Sequence, residues 1–266
     1  LQEACAHVVS GMLGYKTHAK LLMVVRREGR NIKRYCHLGT GNYHAGTARL
    51  YTDYGLMTCD REIGEDVHKL FQQLTGLGRA IKLKSLLQSP FTLHKGMLNN
   101  IQQEIDNAES GKPARIIAKM NSLVEPEIIR ALYRASQAGI QVDLIIRGVC
   151  CLRPGVEGVS ENIRVRSIVG RFLEHTRVFY FENGGEPRLY ISSADWMNRN
   201  FFRRVEACTP IDDRKLAQRM YRELTLYLKD NTQAWELGRD GRYIPVRPGR
   251  QKQHNAQLQL LEKLGG

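Results

Sequence analysis

Residues 114–146 read ARIIAKMNSLVEPEIIRALYRASQAGIQVDLII, and this stretch decides the fold. The apolar run 114–120 predicts a strand, Pro126 opens a helix that Gly139 closes, and 142–146 predicts the next strand. Strand, helix and strand in this order imply a crossover connection and hence a largely parallel sheet covered on both faces, in an α/β protein. Upstream, Met97, Leu98, Ile101 and Ile105 recur at helical spacing, and downstream residues 216–228 predict a last amphipathic helix. The segment 238–254, rich in Arg, Gly and Pro, reads as an irregular basic tail.

The first eighty residues have a different order. Apolar runs at Val8-Val9, 21–25 and 35–38 predict strands, and Ile63, Val67, Leu70, Phe71 and Leu74 predict a helix capped by Asp60 and ended at Gly76 and Gly78. Periodicity breaks over 83–90, which sets the expected boundary between a region 1–85 and a region 86–266. The chain opens on Leu1 and not on Met, so it is expected to be a piece of a longer protein.

Forty Lys and Arg against 27 Asp and Glu give the 266 residues a net charge of +13, and the pI is near 9.6. Such a surface attracts polyanions without choosing among nucleic acid, nucleotides, phosphate chains and acidic lipid. The six cysteines form no C-x-x-C pair and read as reduced thiols, and no apolar run approaches a membrane span. A cytoplasmic location is expected, with a peripheral seat at the inner membrane surface as its variant.

Two of the eight histidines sit in an internal repeat. The first copy runs Lys16-Thr17-His18-Ala19-Lys20, apolar strand, basic turn 26–30, return strand, Gly39-Thr40-Gly41-Asn42. The second runs Leu173-Glu174-His175-Thr176-Arg177, apolar strand, turn 182–186, return strand, Ser192-Ser193-Ala194-Asp195. His to Asn or Asp spans 42 − 18 = 24 and 195 − 175 = 20 residues, so the first hairpin is the longer. On a strand, i and i+2 share a face, which sets an imidazole beside Lys20 or Arg177. Lys20, Thr40, Gly41, Asn42, Arg177 and Ser193 are thus the expected phosphate holders. Phosphoryl transfer asks for fixed positive charge and an in-line nucleophile, which a neutral imidazole can be, and a second imidazole can protonate the departing oxygen. The bland alternatives are a solvated strand residue for each H-x-(K/R), a mere turn at 39–42, and a helix cap at 192–195 leading into Trp196.

H-x-K followed by a small-residue, Asn-ended run, twice, resembles the phospholipase D superfamily. That pattern usually has Asp five residues after the Lys, whereas Val25 and Glu182 stand there; Arg177 and Asp195 also depart from it. These changes weaken a phosphodiesterase reading. The runs 34–43 (RYCHLGTGNY), 47–53 (TARLYTD), 143–148, 171–175 and 190–196 are similar to bacterial polyphosphate kinases of the phospholipase-D-like kind, over essentially the whole chain. The resemblance implies two phospholipase-D-like sheet-containing domains sharing one cleft, the first truncated at its start. It further implies an ATP-dependent polyphosphate phosphotransferase with phosphohistidine at His18, His175 opposite and in contact with ATP, and Tyr51 and Arg147 as nucleotide-binding residues. ATP and ADP with inorganic polyphosphate are the implied partners, with no specific nucleic acid and a homo-oligomer in the full-length protein. Mg²⁺ is implied with ligands upstream of Leu1, so no metal ligand is assigned here, and the fragment alone is expected to make little polymer. His44 stands where the pattern has Asn. Arg166, Arg171, Arg199, Arg203 and Arg204 are the expected channel contacts. A phosphodiesterase or nuclease and a non-catalytic polyanion-binding module are the alternatives; no P-loop motif occurs.

Overall fold

The computed structural model describes residues 2–9, 11–76 and 82–264. A turn of 3₁₀ helix at Gln2–Ala4 precedes residues 6–9, which form no strand. The strand expected at Val8-Val9 is therefore absent; both side chains are exposed, and two valines without a strand partner among the described residues gain nothing by extending.

Strand β1 (Lys16–Thr17) is followed by the long hairpin β2 (Lys20–Glu28) and β3 (Asn31–Gly39). A single helical turn, α1 (Ala45–Ala48), leads to β4 (Tyr51–Thr52) and β5 (Gly55–Thr58), and β5 pairs with β3 to complete a three-stranded antiparallel sheet. Helix α2 (Arg61–Leu74) lays Ile63, Val67 and Leu70 on Cys36 and Leu38 of that sheet. Its expected cap is present, Ile63 N–H donating to Asp60 Oδ1 at 2.9 Å. One turn on, the buried Asp66 carboxylate accepts the N–H groups of Lys84, Ser85 and Leu86, fastening the connecting segment to α2.

A larger mixed sheet follows. Its strands are β6 (Leu87–Ser89), β7 (Arg115–Met120), β8 (Gln141–Ile146), β9 (Ile163–Ile168), β11 (Arg177–Phe181), β12 (Arg188–Ser192), β13 (Arg204–Pro210), β14 (Ala234–Leu237) and β15 (Tyr243–Pro245); β10 (Leu173–Glu174) pairs with β4 instead. The order is β1-β13-β12-β11-β7-β8-β9-β14-β15, with β6 on β13. Within it β7, β8 and β9 run parallel, as the strand-helix-strand reading requires. The rest is mostly antiparallel, which corrects the expectation of a largely parallel sheet. Beyond β9 the hairpins β11–β12 and β14–β15 can only make antiparallel neighbours, and β12 with β13, β11 with β7 and β14 with β9 also pair antiparallel.

Both faces are covered as expected. Helices α3 (Leu93–Glu109) and α4 (Pro126–Gln137) pack on one face over Ile116, Ala118, Val142 and Leu144. Helices α6 (Arg214–Lys229) and α7 (Ala256–Leu264) cover the other over Ile117, Ile145 and Val178. Alternate residues of β7 thus feed two cores, which is why its sequence reads as continuously apolar. The short helix α5 (Asn198–Phe202) has Met197 at its N-cap with no side-chain capping bond, so the cap expected at 192–195 does not form. The segment 238–254 is irregular except for β15.

Candidate active site

Two minimal parallel pairings bring the histidine hairpins together. β1 lies beside β13 with Thr17 opposite Val205, and β10 lies beside β4 with Glu174 opposite Thr52. Each histidine is the residue just past its strand, and the residue past the partner position is a carboxylate. His18 Nδ1 is 2.8 Å from Glu206 Oε2, and His175 Nδ1 is 2.8 Å from Asp53 Oδ1. The braces are crossed. The first histidine leans on Glu206 of β13, the strand paired with the second hairpin, and the second leans on Asp53, just past β4 and downstream of the first hairpin.

A hydroxyl steadies each acid. Thr40 Oγ1 donates to Asp53 Oδ1 at 2.7 Å and accepts from Tyr54 N–H; Ser193 Oγ donates to Glu206 Oε2 and accepts from Ala207 N–H. The distance along the chain from hydroxyl to acid is 53 − 40 = 13 residues in one copy and 206 − 193 = 13 in the other. Extending the repeat by this step would have found both acids in the sequence. Gly41 is required by the same packing, since a Cβ there would sit 2.5 Å from Asp53 Oδ2.

The cations two residues after each histidine bind its carbonyl and not its ring. Lys20 Nζ donates to His18 O at 2.5 Å, and Arg177 Nη1 donates to His175 O at 2.6 Å. Arg177 also forks onto Asp195 through Nε at 3.2 Å and Nη2 at 3.1 Å, while Asp195 accepts Asn121 N–H at 2.7 Å. Asn42, the matching residue of the first copy, is exposed. Burial pulls the Lys20 ammonium down to about 8; Glu206 opposes this, and Arg177 and Arg204 add to it.

Around His175 the Tyr51 ring stands 5.0 Å away at 49°, half-buried, and Arg147, an exposed residue, donates from Nε to Asn121 Oδ1 and to Glu174 O at 2.9 and 3.0 Å. Beneath lies a buried network that sequence reasoning missed. The Glu174 carboxylate meets Lys119 Nζ at 2.9 Å, accepts from Thr52 Oγ1 at 2.9 Å and from Gln257 Nε2 at 2.6 Å, and Thr52 Oγ1 accepts His175 N–H. Burial alone would raise the Glu174 carboxyl, but the Lys119 charge and these hydrogen bonds hold it below its ordinary value. Burial lowers the His175 imidazole, against the hydrogen bond to Asp53.

Two further positions have structural explanations. His44 caps α1, its Nδ1 accepting Thr47 N–H at 3.2 Å, which is how an imidazole serves at that position. Arg166, expected in a channel, is held by Glu236 at 2.6 Å and by the carbonyls of Tyr227 and Asp230, so it ties β9 to α6.

The profile of polyphosphate kinase C-terminal domain 1 matches residues 1–80, and that of C-terminal domain 2 matches residues 86–257. The chain belongs to the polyphosphate kinase family. It is 58% identical over 265 residues to a polyphosphate kinase of Pseudomonas aeruginosa and 61% identical over 266 residues to one of Xylella fastidiosa, in each case covering 99% of this chain and 38% of the relative. It therefore spans well under half the length of these relatives. The crystal structure of polyphosphate kinase from Porphyromonas gingivalis superposes with a TM-score of 0.94 at 36% identity, covering 100% of this chain and 41% of that one. The α/β architecture with two sheet-containing units is thus that of a polyphosphate kinase. No described helix is long and apolar enough to cross a membrane.

Proposed function

We propose that this chain carries the phosphoryl-transfer centre of an enzyme that moves the terminal phosphate of ATP onto inorganic polyphosphate, with His18 as the nucleophile. The observation that carries the reading is the crossed pair of histidine–carboxylate contacts. A proton on Nδ1 of His18, donated to Glu206, leaves the Nε2 lone pair free. That lone pair attacks the γ-phosphorus; the N–P bond forms as the P–O bond to ADP breaks, and the electron pair leaves on the ADP oxygen. A terminal oxygen of the polyphosphate then attacks the same phosphorus and returns His18 to its starting state.

His175 holds its own Nδ1 proton toward Asp53. Burial favours its neutral form in the resting site, and the arriving phosphate charge favours the protonated form that donates to a departing oxygen. Tyr51 offers a face for adenine, and the remaining guanidinium nitrogens of Arg147 offer a fork for phosphate. Lys20 supplies charge for the transferring group. Because the hydroxyls of Thr40 and Ser193 already donate to Asp53 and Glu206, we assign them to positioning the acids. Asn42, exposed beside Gly41, keeps a phosphate-facing role.

The resemblance implies Mg²⁺, but the residues at this centre do not fit it. Asp53 and Glu206 already accept from histidine and hydroxyl groups, and Lys20, Arg177 and Arg204 make the surroundings cationic. No step here runs through a metal.

In the full-length protein, [γ-³²P]ATP should leave an acid-labile, alkali-stable label that His18→Gln removes. Label at the wild-type level in that variant rules out His18 as the nucleophile. Cleavage of a phosphodiester at the same site without ATP would favour a nuclease or phospholipase instead.

A further inference from the structure

Away from the histidine hairpins, three side chains converge where α3 and α4 both begin. His94 lies in the first turn of α3, Glu125 is the N-cap of α4, and Glu127 lies in its first turn. His94 Nε2 is 3.1 Å from Glu125 Oε2 and 3.6 Å from Glu127 Oε2, and one ligand atom from each of the three residues lies within 4.8 Å of the others. We propose that these three residues bind a divalent transition-metal ion of the zinc class.

Four observations support a metal over a simple ion pair. First, the imidazole nitrogen is buried and makes no hydrogen bond of acceptable geometry, although two carboxylates face it. A buried donor so close to acceptors normally aligns with one of them. Second, the spacing fits: ligands about 2.0–2.1 Å from a tetrahedral Zn²⁺ lie about 3.3 Å apart, and 3.1 and 3.6 Å straddle that value. Third, the ring is clamped edge-on by Phe201 and Phe202, each at 4.9 Å, so Nε2 is aimed before any ligand arrives. Fourth, Glu127 is 58% exposed, giving an ion a way in and leaving a coordination position for water.

The chemistry of the set selects the ion. One imidazole and two carboxylates suit Zn²⁺ or a neighbouring first-row ion, whereas Mg²⁺ prefers six oxygens. A neutral histidine with two carboxylates also balances a 2+ charge. Glu125 retains its capping bond, Ile128 N–H to Oε2 at 2.7 Å, alongside this role. A bound ion would join the starts of two core helices and brace the Phe201-Phe202 pair that leads into β13, where Glu206 sits.

The test is calorimetric titration of the chain with Zn²⁺, and Co²⁺ titration followed by visible absorption. One ion per chain is expected, with a four-coordinate Co²⁺ spectrum. Glu127→Gln, at an exposed position, should weaken binding at least about tenfold, and His94→Gln about a hundredfold, both with unchanged far-UV circular dichroism. Should His94→Gln fail to fold, Glu127→Gln decides alone. No saturable binding, binding equal in wild type and Glu127→Gln, equal affinity for Mg²⁺, or binding lost only in His18→Gln or His175→Gln would each overturn the proposal. In the last case the ion would belong to the phosphoryl centre.

Discussion

The two histidine hairpins share a frame and differ in how much of it faces water. Around His18 the bracing acid is wholly enclosed, with side-chain exposures of 20% for His18 and 0% for Glu206. Around His175 the proportions reverse, at 9% for the histidine and 24% for Asp53. The cations differ too. Arg177 is neutralised by Asp195, whereas Lys20 has only Asn42 at the matching place and keeps a labile proton. One copy therefore presents a more open imidazole on a rigid brace beside a titratable cation, as a nucleophile needs. The other presents a buried imidazole whose cation is locked into structure, which suits orientation and proton handling.

The largest expected effect breaks the enclosed brace. Glu206 also accepts from Ser193 and Asn200 in the interior, so no water can replace it. Glu206→Gln should lower kcat roughly 10³-fold. Asp53→Asn, where water can enter, should cost roughly tenfold to a hundredfold. Steady-state polymer synthesis by the full-length protein checks both, and equal losses would remove the asymmetry.

Next in size is a stability effect beneath His175. Lys119→Met leaves Glu174 charged and buried, which should cost about 3–5 kcal/mol in denaturant unfolding. Adding Glu174→Gln should restore most of it. Glu174→Gln with Lys119 intact strands the opposite charge and should be nearly as damaging.

A pH effect separates the two cations. The folded pKa of Lys20, near 8, lies below its ordinary 10.5. Between these values the folded state has released a proton that the unfolded state keeps, so the Lys20 contribution to stability rises with pH across that window. The charge that the proposed function assigns to the transferring phosphate is lost over the same rise. KM for the phosphate substrate should climb above about pH 8, and Lys20→Arg should flatten that limb. The smallest effect belongs to His175. Its lowered pKa means that stability present above the unfolded value is lost as pH falls through the window below it, until the folded form also protonates. A decline in Tm of about a degree or two on acidification is expected, absent in His175→Gln.

The strand-helix-strand core was legible because its signals are local. Pro126 and Gly139 bound α4, and alternate residues of β7 serve two cores. The histidine hairpins were legible for the same reason, each being a contiguous pattern. Glu206 and Asp53 were not found, because what gives them meaning is a two-residue parallel bridge between distant segments, visible in sequence only through the equal thirteen-residue step. Lys119 was hidden inside an apolar run, where a lone cation reads as a residue reaching for solvent, and its partner Glu174 comes from a strand 55 residues away. Ser192 to Asp195 looked like a cap, yet Asp195 serves Arg177 and Asn121, a choice made by packing and not by local preference.

The crossed bracing is tested most directly by ¹H–¹⁵N spectroscopy of the two imidazoles at a pH where both are neutral. The account predicts that each ring carries its proton on Nδ1, that Glu206→Gln shifts the ring nitrogens of His18 and leaves those of His175 in place, and that Asp53→Asn does the reverse. Protonation on Nε2 in either ring, or Glu206→Gln acting on His175 in place of His18, would contradict it.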